Sequence, residues 1–256
     1  MHPDPATRDG AAARLSSPTS VPELSVVVPA HDEAGNLLPL ARLIREALAG
    51  RDYEVVFVDD ESRDGSREEM LAARREDPRV RVIAKTQRQG KTTSLLAGFD
   101  HARGRLIATI DADLQDDPRD IVKCLEALAP GVDAVNGWRQ RREDDFVKRA
   151  SSKVGNAFRR RILHGPIRDA GTGIRVFRRE CLAAILPFEG MHRYFGELLA
   201  MRGFRIVEVP VGHRPRHAGV AKYGVGNRLF RGIADVLAVK WMQRRAARYG
   251  TREIEA

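Results

Sequence analysis

LSVVVPAHDEAGNLLPLARLIREALAGRDYEVVFVDD, residues 24–60, contains the fold in outline. LSVVVPA (24–30) and YEVVFVDD (53–60) are nearly unbroken apolar runs rich in β-branched residues, the composition of strands covered on both faces. Between them, NLLPLARLIREALAG (36–50) places Leu37, Leu40, Ala41, Ile44 and Leu48 at helical spacing and stops at Gly50. The same alternation runs on. Helix SREEMLAARRED (66–77) leads to strand VRVIAK (80–85), and helix GKTTSLLAGFDHARG (90–104) to strand RLIATID (105–111). Helix DIVKCLEALA (120–129) leads to strand VDAVNG (132–137), and RIVEVP (205–210) reads as the last core strand. Strands and helices in this order predict an α/β protein, Rossmann-like, with a mainly parallel sheet covered by helices on both faces.

In such sheets ligands bind beyond the carboxyl ends of the strands. Polar residues gather at four successive ends: Pro29 to Glu33, Asp59 and Asp60, Lys85 to Lys91, and Asp111 and Asp113. The fourth end, DADLQDDP (111–118), carries four aspartates in a chain whose formal net charge is +9. If the backbone is still extended there, Asp111 and Asp113 face the same side. Two neighbouring carboxylates repel unless a proton or cation lies between them, and hard oxygen donors suit Mg²⁺ or Mn²⁺. Asp116 and Asp117, just before Pro118, read instead as caps of the next helix. RQGKTTS (88–94) has Lys85 where a phosphate-binding P-loop needs its first glycine, so that motif is excluded. Gly90 and Lys91 can still open a helix whose amides and ammonium meet a phosphate.

Composition narrows the function classes. The 44 Lys and Arg against 35 Asp and Glu favour an anionic partner. Aromatics at 6% and the absence of helix-turn-helix, zinc or RNA-recognition signatures argue against a nucleic-acid-binding module. Cys124 and Cys181 form no disulfide framework or metal spacing, which points to a reducing, cytoplasmic setting. Residues 1–22 read as a disordered leader, and GIADVLAVKWM (232–242) is too short and too charged to span a membrane. DDFVKRASSKVGNAFRRRI (144–162) places Phe146, Ala150, Val154, Phe158 and Ile162 on one stripe, with Lys148, Arg149, Lys153, Arg159, Arg160 and Arg161 around it. Such a helix suits an anionic membrane surface, or packing on the sheet with a solvated basic face.

PAHDE (29–33), VDDESRDGS (58–66), GK (90–91), DADLQDDP (111–118), GWR (137–139) and DAGTGIRVFRRE (169–180) occur in one order. From Leu24 to Arg231 this resembles family 2 glycosyltransferases of the GT-A fold, in particular the dolichyl/polyprenyl-phosphate sugar (mannosyl and glucosyl) transferases. HRPRHAGVAKY (213–223) is similar to that subgroup's HR-x-R-x₂-G-x-S-K-Y segment. Departures are His31 for the usual Tyr, Asp32 for Asn, Glu61 for Gly, Thr172 for Cys or Ser, and Ala221 for Ser; no transmembrane helices follow the catalytic region.

The resemblance implies a catalytic domain over 23–212, an acceptor loop over 213–226, and a C-terminal amphipathic helix and tail over 227–256. It implies that Pro29, Ala30, Glu33 and Asp59 line the base and ribose pocket. Asp111 and Asp113 would hold Mg²⁺ or Mn²⁺ on the nucleotide diphosphate, with Gln115 close behind and Arg139 balancing the leaving group. The implied reaction is inverting, metal-dependent transfer of a hexose-type sugar from GDP-mannose or a UDP-sugar to a polyprenyl phosphate, by a protein held peripherally at the cytoplasmic membrane. A phosphate monoester is already an anion and needs positioning more than a base. Arg175, Arg193, Arg214, Arg216 and Lys222 are the candidate cations around it. The alternative is a hydroxyl acceptor, which needs a base, and Asp169 is then the candidate.

Overall fold

The computed structural model describes residues 21–140, 146–214 and 226–247. Residues 1–20 of the expected leader and 215–225 of the expected acceptor loop, with Arg216 and Lys222, lie outside them. The chain runs β1 (Leu24–Ala30), α1 (Leu37–Ala47), β2 (Tyr53–Asp59), α2 (Ser66–Glu76), β3 (Val80–Ala84), α3 (Lys91–His101), β4 (Leu106–Thr109) and α4 (Arg119–Ala127). It continues through β5 (Ala134–Arg139), α5 (Phe146–Leu163), β6 (Arg175–Arg178), α6 (Phe195–Met201), β7 (Ile206–Val211) and α7 (Gly226–Arg245), with short 3-10 turns at Arg179–Ala184 and Met191–Arg193. Among the described residues one seven-stranded sheet forms, in the order β3-β2-β1-β4-β6-β5-β7.

The central strands are apolar along their whole length because both faces are covered. Val26, Val28, Val55 and Phe57 point into a core with Leu37, Leu40, Ile44, Met70 and Ile121. Val27, Val56 and Val58 point the other way, onto Leu95, Phe99, Leu198 and Leu199. Burying each such side chain contributes about 1.5–3 kcal/mol before entropy is counted. Only β6 runs antiparallel, pairing Thr109 with Arg175 on β4 and Asn136 with Arg175 on β5. Its reversed direction brings the start of β6 to the edge where β4 and β5 end. That places Gly173 and Arg175 beside the strand-end acids.

Three local expectations are corrected. The backbone is not extended through Asp111 and Asp113: β4 ends at Thr109, residues 112–113 turn, and Leu114 is left-handed with φ 58°. Asp116 does not cap α4. Pro118 holds the cap position, and it is Asp117 whose carboxylate accepts the Arg119 amide at 3.0 Å. On α5 the correction concerns Arg159, which the sequence placed on the basic face, while of the stripe Ile162 packs beside Leu163. Phe158 is exposed, whereas Arg159 is buried and ion-paired with Glu197, because the helix turns Arg159 and Leu163 inward against α6 and α7.

Candidate active site

The loops after β1 and β2 are sewn together. The Asp32 amide donates to Ser62 Oγ (3.0 Å), the Glu33 amide to Ser66 Oγ (2.7 Å), and the Arg63 amide to Asp32 Oδ1 (2.8 Å). His31 Nδ1 lies 2.8 Å from the Asp60 carbonyl, and Asn36 Nδ2 donates to Glu33 Oε2 at 2.9 Å. Asp32 and Glu61 are left-handed, with φ 47° and 59°. These are two of the positions where the sequence departs from Asn and Gly, the residues that tolerate this conformation best. Side-chain bonds offset the strain: Glu61 Oε2 accepts the Arg88 amide at 3.0 Å.

Of the proposed base and ribose residues, Pro29 and Ala30 are buried at the end of β1 and Glu33 is half-buried. Asp59 is fully buried, with Oδ1 accepting the Ser62 amide (2.9 Å) and Oδ2 the Arg67 guanidinium (2.8 Å). Its neighbour Asp60 organises the loop after β3, accepting from Lys85 Nζ (2.6 Å) and from the amides of Gln89 (3.0 Å) and Gly90 (2.7 Å). Burial raises the Asp60 carboxyl, but Lys85 and the two amides outweigh it and leave it below the ordinary range.

Gly90, with φ 87°, then opens α3 and delivers Lys91 to Asp111. The ammonium meets both carboxylate oxygens, at 2.5 and 2.8 Å. Burial pushes Asp111 up; Lys91, helped by Arg175, pulls it below the usual carboxylate value. Asp113 is half-exposed and its Oδ1 accepts the Gln115 amide at 3.2 Å. Asp116 comes into the site instead of capping. Among the described residues its buried Oδ1 has no hydrogen-bond partner and lies 3.6 Å from His213 Nδ1.

Gly173 is the point on which Asp111 and Asp116 converge. A Cβ there would stand 2.7 Å from Asp111 Cγ, 2.6 Å from Asp116 Oδ2 and 2.9 Å from the Asp111 amide nitrogen. Gly173→Ala is therefore expected to displace Asp111 and lower turnover at least tenfold while the circular dichroism spectrum is retained; unchanged kcat would mean that these carboxylates tolerate a shift. Asp116→Asn is expected to weaken catalysis as well, since this carboxylate lies in the site.

The end of β7 is fastened to the same loop. Arg214 donates its amide to the Gln115 carbonyl (2.8 Å), Gln115 Nε2 donates to the Arg214 carbonyl (3.1 Å), and the Gly212 amide donates to Asp120 Oδ2 (2.9 Å). The Arg214 guanidinium turns to Asp117 at 2.6 Å. On the neighbouring strand β5, Arg139, which pairs with Val211, grips Asp169 with two bonds, at 2.7 and 3.0 Å. Burial opposes the guanidinium charge, yet Asp169 holds the Arg139 pKa above its usual value. Arg175 is buried over the Phe195 ring and donates to the carbonyls of Ala170 (3.3 Å) and His192 (3.0 Å). Arg193 follows, half-buried.

Lys91 is thus bonded to Asp111 and Arg175 to the His192 carbonyl, with Arg193 next in that turn beside Gly190 and with Gln115 and Arg214 bonded to each other at the end of β7. Asp60 was expected only as a strand-end polar group and Asp116 only as a cap, while His192 and His213 carried no expectation from the sequence. His192 is held neutral: burial, then Lys91, Arg175 and Arg193, lower its pKa to about 2.

The model of glycosyl transferase family 2 matches residues 25–186. A dodecaprenyl-phosphate galacturonate synthase of Rhizobium johnstonii is 34% identical over 245 residues, covering 92% of this chain and 71% of that protein. An undecaprenyl-phosphate 4-deoxy-4-formamido-L-arabinose transferase of Edwardsiella ictaluri is 33% identical over 208 residues, covering 79% of this chain but 63% of the relative's length. Among solved structures, glucosyl-3-phosphoglycerate synthase of Mycobacterium tuberculosis superposes with a TM-score of 0.64 at 20% identity, over 90% of this chain and 82% of that one. A mannosyltransferase of Pyrobaculum calidifontis, in complex with GDP-Man and Mn²⁺, gives a TM-score of 0.58 at 22% identity, over 91% and 67%. The chain belongs to glycosyl transferase family 2 and is a glycosyltransferase of the GT-A fold.

Proposed function

We propose that this glycosyltransferase moves a hexose-type sugar from a nucleotide diphosphate sugar to a polyprenyl phosphate, with inversion and with a divalent cation, at an anionic membrane surface. One observation carries the acceptor assignment. Asp169, the carboxylate a hydroxyl acceptor would need as base, spends both oxygens on Arg139, while Lys91, on Asp111, and Arg175, on the His192 carbonyl, bring positive charge to the same edge. A phosphate acceptor needs that arrangement and no base. The acceptors named for the two sequence relatives point the same way.

The residues present fit a hard cation. Asp111 and Asp116 converge on the space that a Gly173 Cβ would fill, and Asp113 follows on the same loop. Among the described residues no three His, Cys, Asp or Glu side chains already stand in metal-holding geometry. Asp113, and Asp111 once Lys91 yields one of its oxygens, would hold Mg²⁺ or Mn²⁺. When bound, the ion neutralises charge that develops on the leaving diphosphate. Lys91 and Arg139 supply further positive charge at the same edge, and Glu33 and Gln115 stand at its margins.

Among the described residues no helix is long and apolar enough to cross a membrane. Ile233, Leu237 and Trp241 form an exposed stripe on α7, followed by Arg244 and Arg245. An apolar stripe ending in an aromatic and two cations suits the headgroup region of an anionic bilayer.

Arg216 and Lys222 are the loop cations assigned to the acceptor. Replacing either with Ala should raise KM for polyprenyl phosphate or lower kcat about ten- to a hundredfold, the worth of a charge-assisted contact. Nucleotide diphosphate affinity should change little. Normal lipid kinetics in both variants would favour the hydroxyl acceptor.

A further inference from the structure

His192 lies some eighty residues from the acidic loop in sequence, in the short turn Met191–Arg193, yet it packs against the first turn of α3. Its Nδ1 is 2.9 Å from Thr92 Oγ1. The same Thr92 oxygen accepts the Gly190 amide at 2.9 Å. Thr92 is only 4% exposed, so its own hydroxyl hydrogen must find an acceptor inside the protein. Neighbouring Thr93 and Ser94 donate to the Gly90 carbonyl; for Thr92 the acceptor within reach is His192 Nδ1. Because the hydroxyl donates to Nδ1, the imidazole proton resides on Nε2.

That N–H has no hydrogen-bond partner among the described residues. Lys91 precedes Thr92 on α3, Arg193 follows His192 in the turn, and Lys91 meets Asp111 at 2.5 Å. The Arg175 guanidinium also donates to the His192 carbonyl at 3.0 Å, which fixes the turn against β6. A lone N–H donor among three cations is a place for an anionic oxygen.

We propose that His192 is a binding residue for the reacting phosphate, its Nε2–H donating to a phosphoryl oxygen held among Lys91, Arg175 and Arg193. The proposal rests on the phosphate-acceptor reading above only for the choice between two sources. The oxygen belongs either to the acceptor's monoester or to the donor's diphosphate. Thr92 acts through His192 as a positioning residue, since its hydroxyl sets the tautomer.

The test uses the full chain with a short-chain isoprenyl phosphate and, separately, with UDP or GDP plus Mn²⁺. His192→Phe keeps the ring volume and removes the donor. It should weaken one of the two phosphate ligands about ten- to a hundredfold. A higher KM for isoprenyl phosphate assigns the acceptor; a higher Kd for the nucleotide assigns the donor. His192→Gln places an amide N–H near the position of Nε2 and should recover most of the loss. A purely structural role would instead lower melting temperature and kcat together, without rescue by Gln.

Nitrogen-15 spectra of histidine-labelled protein give a second readout, with the signal assigned by its loss in His192→Phe. The expected state is an unprotonated Nδ1 and a protonated Nε2 that shifts when the phosphate ligand is added. Wild-type affinity for both phosphates in His192→Phe, or the opposite tautomer, would overturn the proposal. If the wild-type enzyme moved no sugar to isoprenyl phosphate, the acceptor reading would fall. The nucleotide titration and the nitrogen spectrum would still decide the role of His192.

Discussion

Asp111→Asn should lower sugar transfer roughly 100- to 1000-fold, the scale on which single electrostatic contacts to a transition state act. The side chain keeps its shape and loses its charge. Lys91 then faces an amide in place of the carboxylate it meets at 2.5 Å, and the acid pair can no longer hold a divalent cation. Folding should suffer little, because the Lys91–Asp111 pair is about one-third exposed on both sides and screened by solvent. Asp116 also approaches Asp111, so removing one of two converging charges offsets part of any loss. Thermal shift with a nucleotide diphosphate checks this: Mn²⁺ should raise the melting temperature of the wild-type complex and not that of Asp111→Asn. Asp113→Asn should behave alike. An Asn variant that kept full activity, or a wild type indifferent to chelator, would remove the metal from the account.

The second large effect concerns stability. Glu197→Ala should cost about 3–5 kcal/mol, because it strands the buried Arg159 guanidinium. In a chain of this size that corresponds to a melting temperature lower by roughly 6–20 °C. Arg159 is 5% exposed and Glu197 not at all, and Arg159 also donates to the Ile167 carbonyl at 2.9 Å. Burial raises the Glu197 pKa against the pull of Arg159, so the pair stands on its mutual attraction in a dry place. The double variant Arg159→Met/Glu197→Leu should recover most of the loss, since two apolar chains leave no buried charge. A cost below about 1 kcal/mol for the single variant would show that water or another group reaches Arg159.

The periodic elements were legible because burial on both faces forces continuous apolar strands, as in β1 and β2, and forces helical spacing on α1. What was hidden has a physical reason in each case. The strand β6 is only RVFR, too short for a pattern, and its reversed direction follows from where the preceding segment leaves it. Asp116 sits two residues before Pro118, where capping is a sufficient explanation for any aspartate. The backbone turn at 112–113 and the left-handed Leu114 send its side chain into the site instead. Arg159 follows the charge pattern of a solvated face, and only its partner on another helix makes burial tolerable. His192 carries no local signal at all, because its significance comes from Thr92, a hundred positions away in the chain. Asp111 and Lys91 were found because strand ends in a parallel sheet converge whatever the loops between them do, whereas Arg175 came only from the resemblance.

The most direct test supplies the purified protein with an α-linked nucleotide diphosphate sugar and Mn²⁺, offers either polyprenyl phosphate or the corresponding alcohol, and identifies products by mass spectrometry and anomeric coupling. The account predicts a β-linked glycosyl phosphate ester with the phosphate acceptor, none with the alcohol, and none once the cation is chelated. Transfer to the alcohol or to a saccharide hydroxyl in preference to the phosphate, or undiminished transfer in chelator, would contradict it.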